Sequence, residues 1–308
     1  MLADPFVHRA LYYRSDSEYA DSTAAFIREG LVAGEPVAVA VPGPGLTLIE
    51  SALGADAARV WLVDMTEAGR NPGRIIPAVL REFADRHPGE RVRIIGEPVW
   101  PGRTAAEYPA CAQHEAAVNY AFRGRLVTIV CPYDAARLPA QVLAEAALTH
   151  PLLRDGAGER PSPTYAPERV LAGHNGPLEE PHGFVELRFD RTNLAEAREL
   201  AAARAAACGI VGYKVDDVRL VIAELGANSL DHGGGKGLIR VWNEDHRLVC
   251  EVSDSGHITD PLAGRQPVDP RTPGSRGLLI VNLLSDLVRV HTTVGSTTVR
   301  AYFDVGAG

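Results

Sequence analysis

A stretch rich in proline and glycine divides this chain into two parts whose sequence patterns differ. Between Leu152 and Gly183, prolines and glycines stand among few apolar residues, a composition typical of a connecting segment. The 308 residues suffice for two domains of about 100 to 200 residues each. We therefore expect an N-terminal domain over 1–155, a linker over 156–183 and a C-terminal domain over 184–308.

The first part alternates short β-branched runs with helical patterns. The runs predict buried strands at 37–41, 60–63, 92–95 and 126–130. Helical patterns separate them, at 17–33, 47–53, 74–86 and 107–122. Strands that alternate with helices favour an α/β domain with a mainly parallel sheet covered on both faces.

The second part has a different order of elements. Strand patterns occur at 184–189, 238–242, 248–252, 287–292 and 297–303. Helical patterns occur at 194–208, about 215–231 and about 277–285, and a loop rich in glycine and proline spans 254–275. Helices that precede and interrupt an antiparallel-looking set of strands predict a two-layer α+β sandwich.

Charge and composition exclude some classes of function. The formal net charge is -8 and the pI is about 5.7, which disfavours direct binding to nucleic acid. No apolar run approaches the roughly 20 residues of a membrane span, and Met1 to Arg14 lacks the features of a signal peptide. These features predict a cytoplasmic protein. The four cysteines lack metal-ligand spacing and are predicted to be reduced thiols: Cys111, Cys131, Cys208 and Cys250.

The helical pattern near residue 220 carries two polar side chains on one face. Glu224 and Asn228 are four residues apart, beside an apolar stripe. An amide oxygen can complete the coordination of Mg²⁺, and a carboxylate can accept a proton from an attacking hydroxyl. Taken alone, this spacing is more often a solvated helix face.

Two further segments carry residues suited to a nucleotide. Asp254 ends a predicted strand and Gly256 follows it, so the carboxylate could accept a hydrogen bond from an exocyclic amine such as that of adenine. Gly274 and Gly277 precede a predicted helix, whose N-terminus favours phosphate. Each segment alone is weak evidence, since turns and helix starts commonly look like this.

Taken in order, these segments and the 295–298 turn resemble the N, G1, G2 and G3 boxes of the GHKL ATPases, from Phe184 to Val305. The segment 224–233 resembles the anti-sigma, switch-kinase branch in particular. The resemblance implies that Glu224 is the general base, that Asn228 is the Mg²⁺ ligand and that Asp254 contacts adenine. It implies nucleotide-binding positions at Asp231, His232, Gly256, Gly274, Arg276, Gly277, Leu278 and Thr297. The chain departs from many relatives at His257 and in a short lid sequence at 260–265.

The first part resembles the MEDS sensory domain over nearly all of residues 8–154, a domain related to a degenerate RecA-like ATPase fold. The resemblance is carried by the segments 8–13, 26–31, 93–100, 115–119, 131–134 and 149–151. The loop 42–46 lies where a RecA-like fold has its phosphate loop, but it lacks the Lys-Ser/Thr ending, so we expect no nucleotide hydrolysis there.

Polar or amphipathic side chains near the strand ends of the first part are candidates for a ligand crevice: Glu97, Trp100, Glu115, Tyr133 and His150. The alternative is local, with the aromatic residues at the edge of the core and His150 as a helix cap. The sequence identifies no ligand.

The resemblance implies an ATP- and Mg²⁺-dependent anti-sigma factor that sequesters a sigma factor and phosphorylates a STAS-domain antagonist on serine or threonine. The N-terminal domain would regulate it, in transcriptional control of stress responses. The alternative is a ligand-sensing module whose ATPase half retains nucleotide and transfers nothing. A sensor histidine kinase is disfavoured, because His174 and His182 lie in the Pro/Gly-rich segment and not on a two-helix hairpin. Homodimers are common among the resembled kinases, but no dimer surface is evident in this sequence.

Overall fold

The computed structural model describes residues 4–268 and 276–306, and it divides the chain into two units, Met1–His174 and Asn175–Gly308. The strands of the first unit are β1 (Val7–Tyr13), β2 (Val37–Val41), β3 (Trp61–Asp64), β4 (Val92–Gly96), β5 (Val127–Asp134), β6 (Leu152–Asp155) and β7 (Gly158–Pro161). Its helices are α1 (Asp16–Ala33), α2 (Gly43–Leu53), α3 (Met65–Ala68), α4 (Pro72–Ile75), α5 (Arg81–Asp85), α6 (Tyr108–Ala121), α7 (Ala140–Thr149) and α8 (Pro167–Gly173).

The first unit is built on a seven-stranded sheet in the order β3-β2-β4-β5-β1-β6-β7. All neighbours from β3 to β6 pair in parallel, and only β6 and β7 pair antiparallel. The prediction of a mainly parallel sheet is confirmed. The RecA-like assignment stays a prediction. A core of apolar side chains, among them Ile27, Val39 and Ile49, packs α1 and α2 against the sheet.

The segment expected to be a linker carries ordered structure over most of its first half. β7 pairs with β6, and α8 packs against α6 through Val170, which is 3% exposed. The prolines fit this structure because Pro161 ends an edge strand and Pro167 occupies the first turn of α8. The prediction of a linker from residue 156 is therefore wrong up to Gly173, since buried apolar residues outweigh the Pro/Gly composition.

The second unit has five strands, β8 (Val185–Asp190), β9 (Lys236–Glu244), β10 (Arg247–Asp254), β11 (Leu287–Thr293) and β12 (Ser296–Asp304). Its helices are α9 (Leu194–Ala207), α10 (Tyr213–His232) and α11 (Gly277–Leu284). The strands form an antiparallel sheet in the order β11-β12-β10-β9-β8, and the helices share one core with it. The α+β architecture is confirmed.

No helix within the described ranges has both the length and the apolar character that crossing a bilayer would require. All four cysteines are free thiols, as predicted.

Candidate functional site

The helix α10 holds Glu224 and Asn228 on the edge of the second unit's core. Its apolar stripe is fully buried against the sheet, with Val218, Val221 and Ile222 at 0% exposure. Because one face of the helix is fixed in the core, side chains on the neighbouring face keep a defined direction. Glu224 and Asn228 lie on that face and are half-buried.

The first residue of α11 lies directly against both polar groups. A Cβ atom added to Gly277 would lie 3.0 Å from Glu224 Oε2, and 3.2 Å from both Oδ1 and Nδ2 of Asn228. A glycine here therefore leaves room for the two side chains, and it brings the N-terminus of α11 beside them. Free amides and the helix dipole make such a terminus a favourable place for phosphate.

Asp254 lies at the end of β10 and is held by two hydrogen bonds. Ser229 on α10 donates to its Oδ2 at 2.6 Å, and the backbone N–H of Gly256 donates to its Oδ1 at 2.8 Å. Gly233 also packs against the carboxylate, so closely that a Cβ at this position would overlap Asp254. The carboxylate is thus fixed, and each of its oxygens keeps capacity for a further hydrogen bond.

These elements enclose a cavity of about 340 Å³ in the second unit. Its polar lining includes Asn228, His232, Asp254 and Thr297. Its apolar lining is formed by Leu225, Val252, Ile258, Ala263, Leu278 and Val299. An apolar slot with a few convergent polar groups is the usual form of a small-ligand site.

Most of the predicted nucleotide-binding residues meet at this cavity. Besides the polar groups above, Gly256, Gly277 and Leu278 line it, and Glu224 borders it through Gly277. Asp231 is not among the lining residues, because its exposed side chain pairs with Arg191 at 3.2 Å. Arg276 is exposed and is also not a lining residue, whereas Gly274 lies outside the described residues.

Part of the cavity wall comes from the segment that the sequence analysis noted as a departure at His257 and a short lid sequence at 260–265. His257, Ile258, Asp260 and the 263–264 turn line it from the segment that follows β10. This segment is fixed at both ends, because Ile258 N–H donates to Thr292 Oγ1 at 2.9 Å and Asn282 Nδ2 donates to Gly264 O at 3.0 Å. The sequence analysis did not single out Ile258 or assign these residues a role in binding.

In the first unit, the predicted crevice residues fall into separate groups. Glu115, Tyr133 and His150 come together, since Tyr133 donates to Glu115 Oε1 at 3.1 Å and His150 Nε2 lies 3.4 Å from Glu115 Oε2. Trp100 instead stacks under the guanidinium of Arg103, 3.8 Å from the ring centre. His150 also caps α7, as the local alternative predicted.

Glu97 follows β4 and is buried beside Tyr19 of α1. The Tyr19 hydroxyl donates to Glu97 Oε2 at 3.1 Å, and Glu97 is 4% exposed. Burial raises the pKa of Glu97 from 4.5 to about 8, and the hydrogen bond from Tyr19 only partly opposes this shift. Burial and the nearby Glu97 likewise raise the pKa of Tyr19. Near neutral pH, the Glu97 carboxyl therefore takes up a proton when the chain folds.

Two family models match the chain, one for each unit. The model of the MEDS domain, the methanogen/methylotroph, DcmR sensory domain, matches residues 7–151. The model of the histidine kinase-like ATPase domain matches residues 187–303. No curated protein matches the chain.

Solved structures with some similarity include two bacterial proteins. The RsbU and RsbW domains of Rv1364c from Mycobacterium tuberculosis are 16% identical with a TM-score of 0.30, over 40% of this chain and 32% of that chain. The Acinetobacter baumannii histidine kinase AdeS is 11% identical with a TM-score of 0.25, over 65% of this chain and 96% of that chain. The chain thus aligns with about a third of the length of the mycobacterial structure. The family models thus find an N-terminal MEDS domain and a C-terminal histidine kinase-like ATPase domain in this chain.

Proposed function

We propose that the C-terminal domain binds ATP with Mg²⁺, and that the protein is an anti-sigma regulator with serine/threonine kinase activity. The main support for the proposal is that Glu224 and Asn228 both lie against Gly277, at the N-terminus of α11. A proton acceptor, a metal-ligating oxygen and a phosphate-favouring helix terminus share one position there.

The adenine ring would occupy the part of the cavity next to Asp254. Its exocyclic amine would donate to the carboxylate, whose position is already fixed by Ser229 and by the Gly256 amide. Apolar side chains such as Val252 and Val299 line the same cavity and suit the faces of the ring. Thr297, 5% exposed, is a further polar contact within reach of a base.

The phosphates would lie at the N-terminus of α11, where Gly277 and Leu278 would supply amides and Arg276 directly precedes the helix. Three carboxylates border or line the cavity, those of Glu224, Asp254 and Asp260. A bare triphosphate would be repelled by these carboxylates, so Mg²⁺ held by Asn228 and the phosphate oxygens would be needed to offset the charge.

Phosphate transfer would use Glu224 as the general base. A serine or threonine hydroxyl of a STAS-domain antagonist would lose its proton to the Glu224 carboxylate as its oxygen attacks the γ-phosphorus. The bond from that phosphorus to the β–γ bridging oxygen would break, leaving ADP with Mg²⁺. In the nucleotide-bound state the same domain would sequester a sigma factor, and the MEDS domain would alter this activity in response to a small ligand.

The test is transfer from γ-labelled ATP to candidate STAS proteins of the same host, with the full chain as the enzyme. Label on a serine or threonine that requires Glu224 supports the kinase. Tight ATP binding without any label favours the alternative of a nucleotide-retaining regulator that transfers nothing. Absence of ATP binding would reject the proposal entirely.

The anti-sigma role needs its own experiment. A tagged full-length protein is used to capture partners from the native host with ATP, with ADP and without nucleotide. We expect a sigma factor to be retained with ATP and a STAS protein to be retained with ADP. Retention of neither under any of the three conditions would contradict the anti-sigma role while leaving ATP binding intact.

A further inference from the structure

Four side chains from separate elements meet in the interior of the MEDS domain. They are His8 on β1, Glu115 on α6, Cys131 on β5 and His150 at the end of α7. Each residue is at most 2% exposed, and their potential ligand atoms all lie within 4.8 Å of one another. We call this group the His-Glu-Cys-His cluster.

Four distances within the cluster match those of a coordination shell. Glu115 Oε2 lies 3.4 Å from His8 Nε2, from His150 Nε2 and from Cys131 Sγ. Cys131 Sγ lies 3.5 Å from His8 Nε2. Bonds of about 2.0–2.3 Å to a tetrahedral Zn²⁺ place neighbouring ligand atoms about 3.3–3.6 Å apart. Four of the six pairs of ligand atoms thus already have the spacing that a central ion would impose, and the other two pairs lie within 4.8 Å.

The outer nitrogen of each imidazole is bonded to an oxygen. His150 Nδ1 lies 2.8 Å from Ala146 O, and a carbonyl can only accept, so Nδ1 carries the hydrogen. His8 Nδ1 lies 3.2 Å from Asn119 Oδ1. The amide of Asn119 is oriented by its Nδ2, which donates to three backbone carbonyls at 2.8–3.2 Å. Both neutral histidines are therefore Nδ1–H tautomers, whose Nε2 lone pairs point into the cluster.

This orientation turns hydrogen-bond acceptors toward one another in the core. The two Nε2 lone pairs face a carboxylate oxygen, which is also an acceptor, and only the Cys131 thiol can donate to it. His150 Nε2 is buried without a hydrogen bond, although Glu115 Oε2 is 3.4 Å away. Buried acceptors without donors are costly, and a cation at the centre would satisfy all of them at once.

We propose that the His-Glu-Cys-His cluster binds one divalent transition-metal ion, with Zn²⁺ as the best match. Two imidazoles, a thiolate and a carboxylate are all established zinc ligands, and four protein ligands without solvent access make a closed site. On binding, the thiol proton of Cys131 leaves to solvent and the sulfur bonds the metal as thiolate. Tyr133 donates to Glu115 Oε1 and so leaves Oε2 for the ion.

The experiment measures metal content in the full chain, purified from zinc-supplemented cells. Cys131→Ser removes one ligand. Cys111→Ser is the matched control, since Cys111 is a buried cysteine of the same domain that lies outside the cluster. We expect about one equivalent of zinc in the wild type and in Cys111→Ser, and a large loss in Cys131→Ser. Replacement by Co²⁺ should give a thiolate-to-cobalt charge-transfer band that only Cys131→Ser lacks. Asn119→Ala should weaken binding about 10- to 100-fold, because Asn119 orients His8.

Two results would overturn the proposal. One is a folded wild type that binds neither Zn²⁺ nor Co²⁺ when the metal-free chain is titrated against a chromophoric chelator. This titration tests the proposal even if Cys131→Ser fails to fold. Absence of metal binding would indicate that hydrogen bonds around a charged histidine hold the cluster together. The other is a metal content and cobalt spectrum that Cys131→Ser leaves unchanged, which would place the ion elsewhere.

Discussion

Replacing Gly277 by alanine should weaken nucleotide binding by the C-terminal domain without lowering the stability of that domain. The new Cβ would lie 3.0 Å from Glu224 Oε2 and 3.2 Å from the terminal atoms of Asn228, closer than these side chains can tolerate without moving. Both neighbours are the far ends of side chains, so they can turn away without disturbing the core. Alanine is also a better helix residue than glycine by up to about 1 kcal/mol, so we expect the domain to remain as stable or to gain slightly.

The cost of the same substitution should appear in ATP binding. Displacing a side chain that bonds a charged ligand typically costs about 1.5–3 kcal/mol, which corresponds to a Kd between about 10-fold and 150-fold weaker. The assay is calorimetric titration of Mg-ATP into the full chain, with thermal unfolding measured on the same samples. Gly176→Ala is the control, because a Cβ there meets nothing within 4 Å. An Mg-ATP affinity within threefold of the wild type would refute the placement of Glu224 and Asn228 around the phosphates.

Three further substitutions test single groups. Asn228→Ala should abolish Mg-ATP binding in calorimetry, because it removes the amide oxygen proposed to hold Mg²⁺, and unchanged affinity would defeat the assignment. Glu224→Gln should keep nucleotide bound but stop transfer to a STAS protein, since an amide cannot take the hydroxyl proton, and transfer at the normal rate would exclude Glu224 as the base. Glu97→Gln should remove a pH dependence of stability. Because the folded-state pKa is raised from 4.5 to about 8, stability is lost as pH rises through this window, by about 5 kcal/mol in all. Denaturant midpoints that fall with pH equally in wild type and Glu97→Gln would contradict that assignment.

Periodicity predicted most elements to within a few residues. The apolar stripe of α10 placed this helix at 215–231, and the structure extends it to Tyr213–His232. The strand β1 was missed as a strand, although its segment carried part of the MEDS resemblance. Its sequence places His8 and Arg9 inside the sheet, and His8 is fully buried. Polar residues in a central strand remove the apolar signal on which strand prediction depends.

The cavity of the C-terminal domain was predictable because many of its residues come from short ordered motifs. Asn228, Asp254 and Gly277 belong to three segments whose order along the chain resembles that of the GHKL boxes, and all three line one cavity. The cavity wall that follows β10 was less predictable. The sequence analysis noted His257 and a lid sequence at 260–265, but Ile258 and Gly264 are held at the cavity by loop hydrogen bonds that leave no periodic pattern. Asp231 shows the opposite error, since a motif position alone does not tell which way a side chain at a helix end will turn.

The His-Glu-Cys-His cluster lay beyond sequence analysis because its ligands are joined by strand order and not by spacing. β1 pairs in parallel with β5, in a register that sets His8 opposite Ile129 and Ala10 opposite Cys131. Side chains two residues apart share a face of a sheet, so this register alone brings His8 and Cys131 to the same face. A rule that searches for closely spaced cysteines and histidines cannot find a pair separated by more than a hundred residues. The proposed metal site therefore depends on the pairing of β1 with β5. This pairing identifies the buried Cys131 as a candidate ligand.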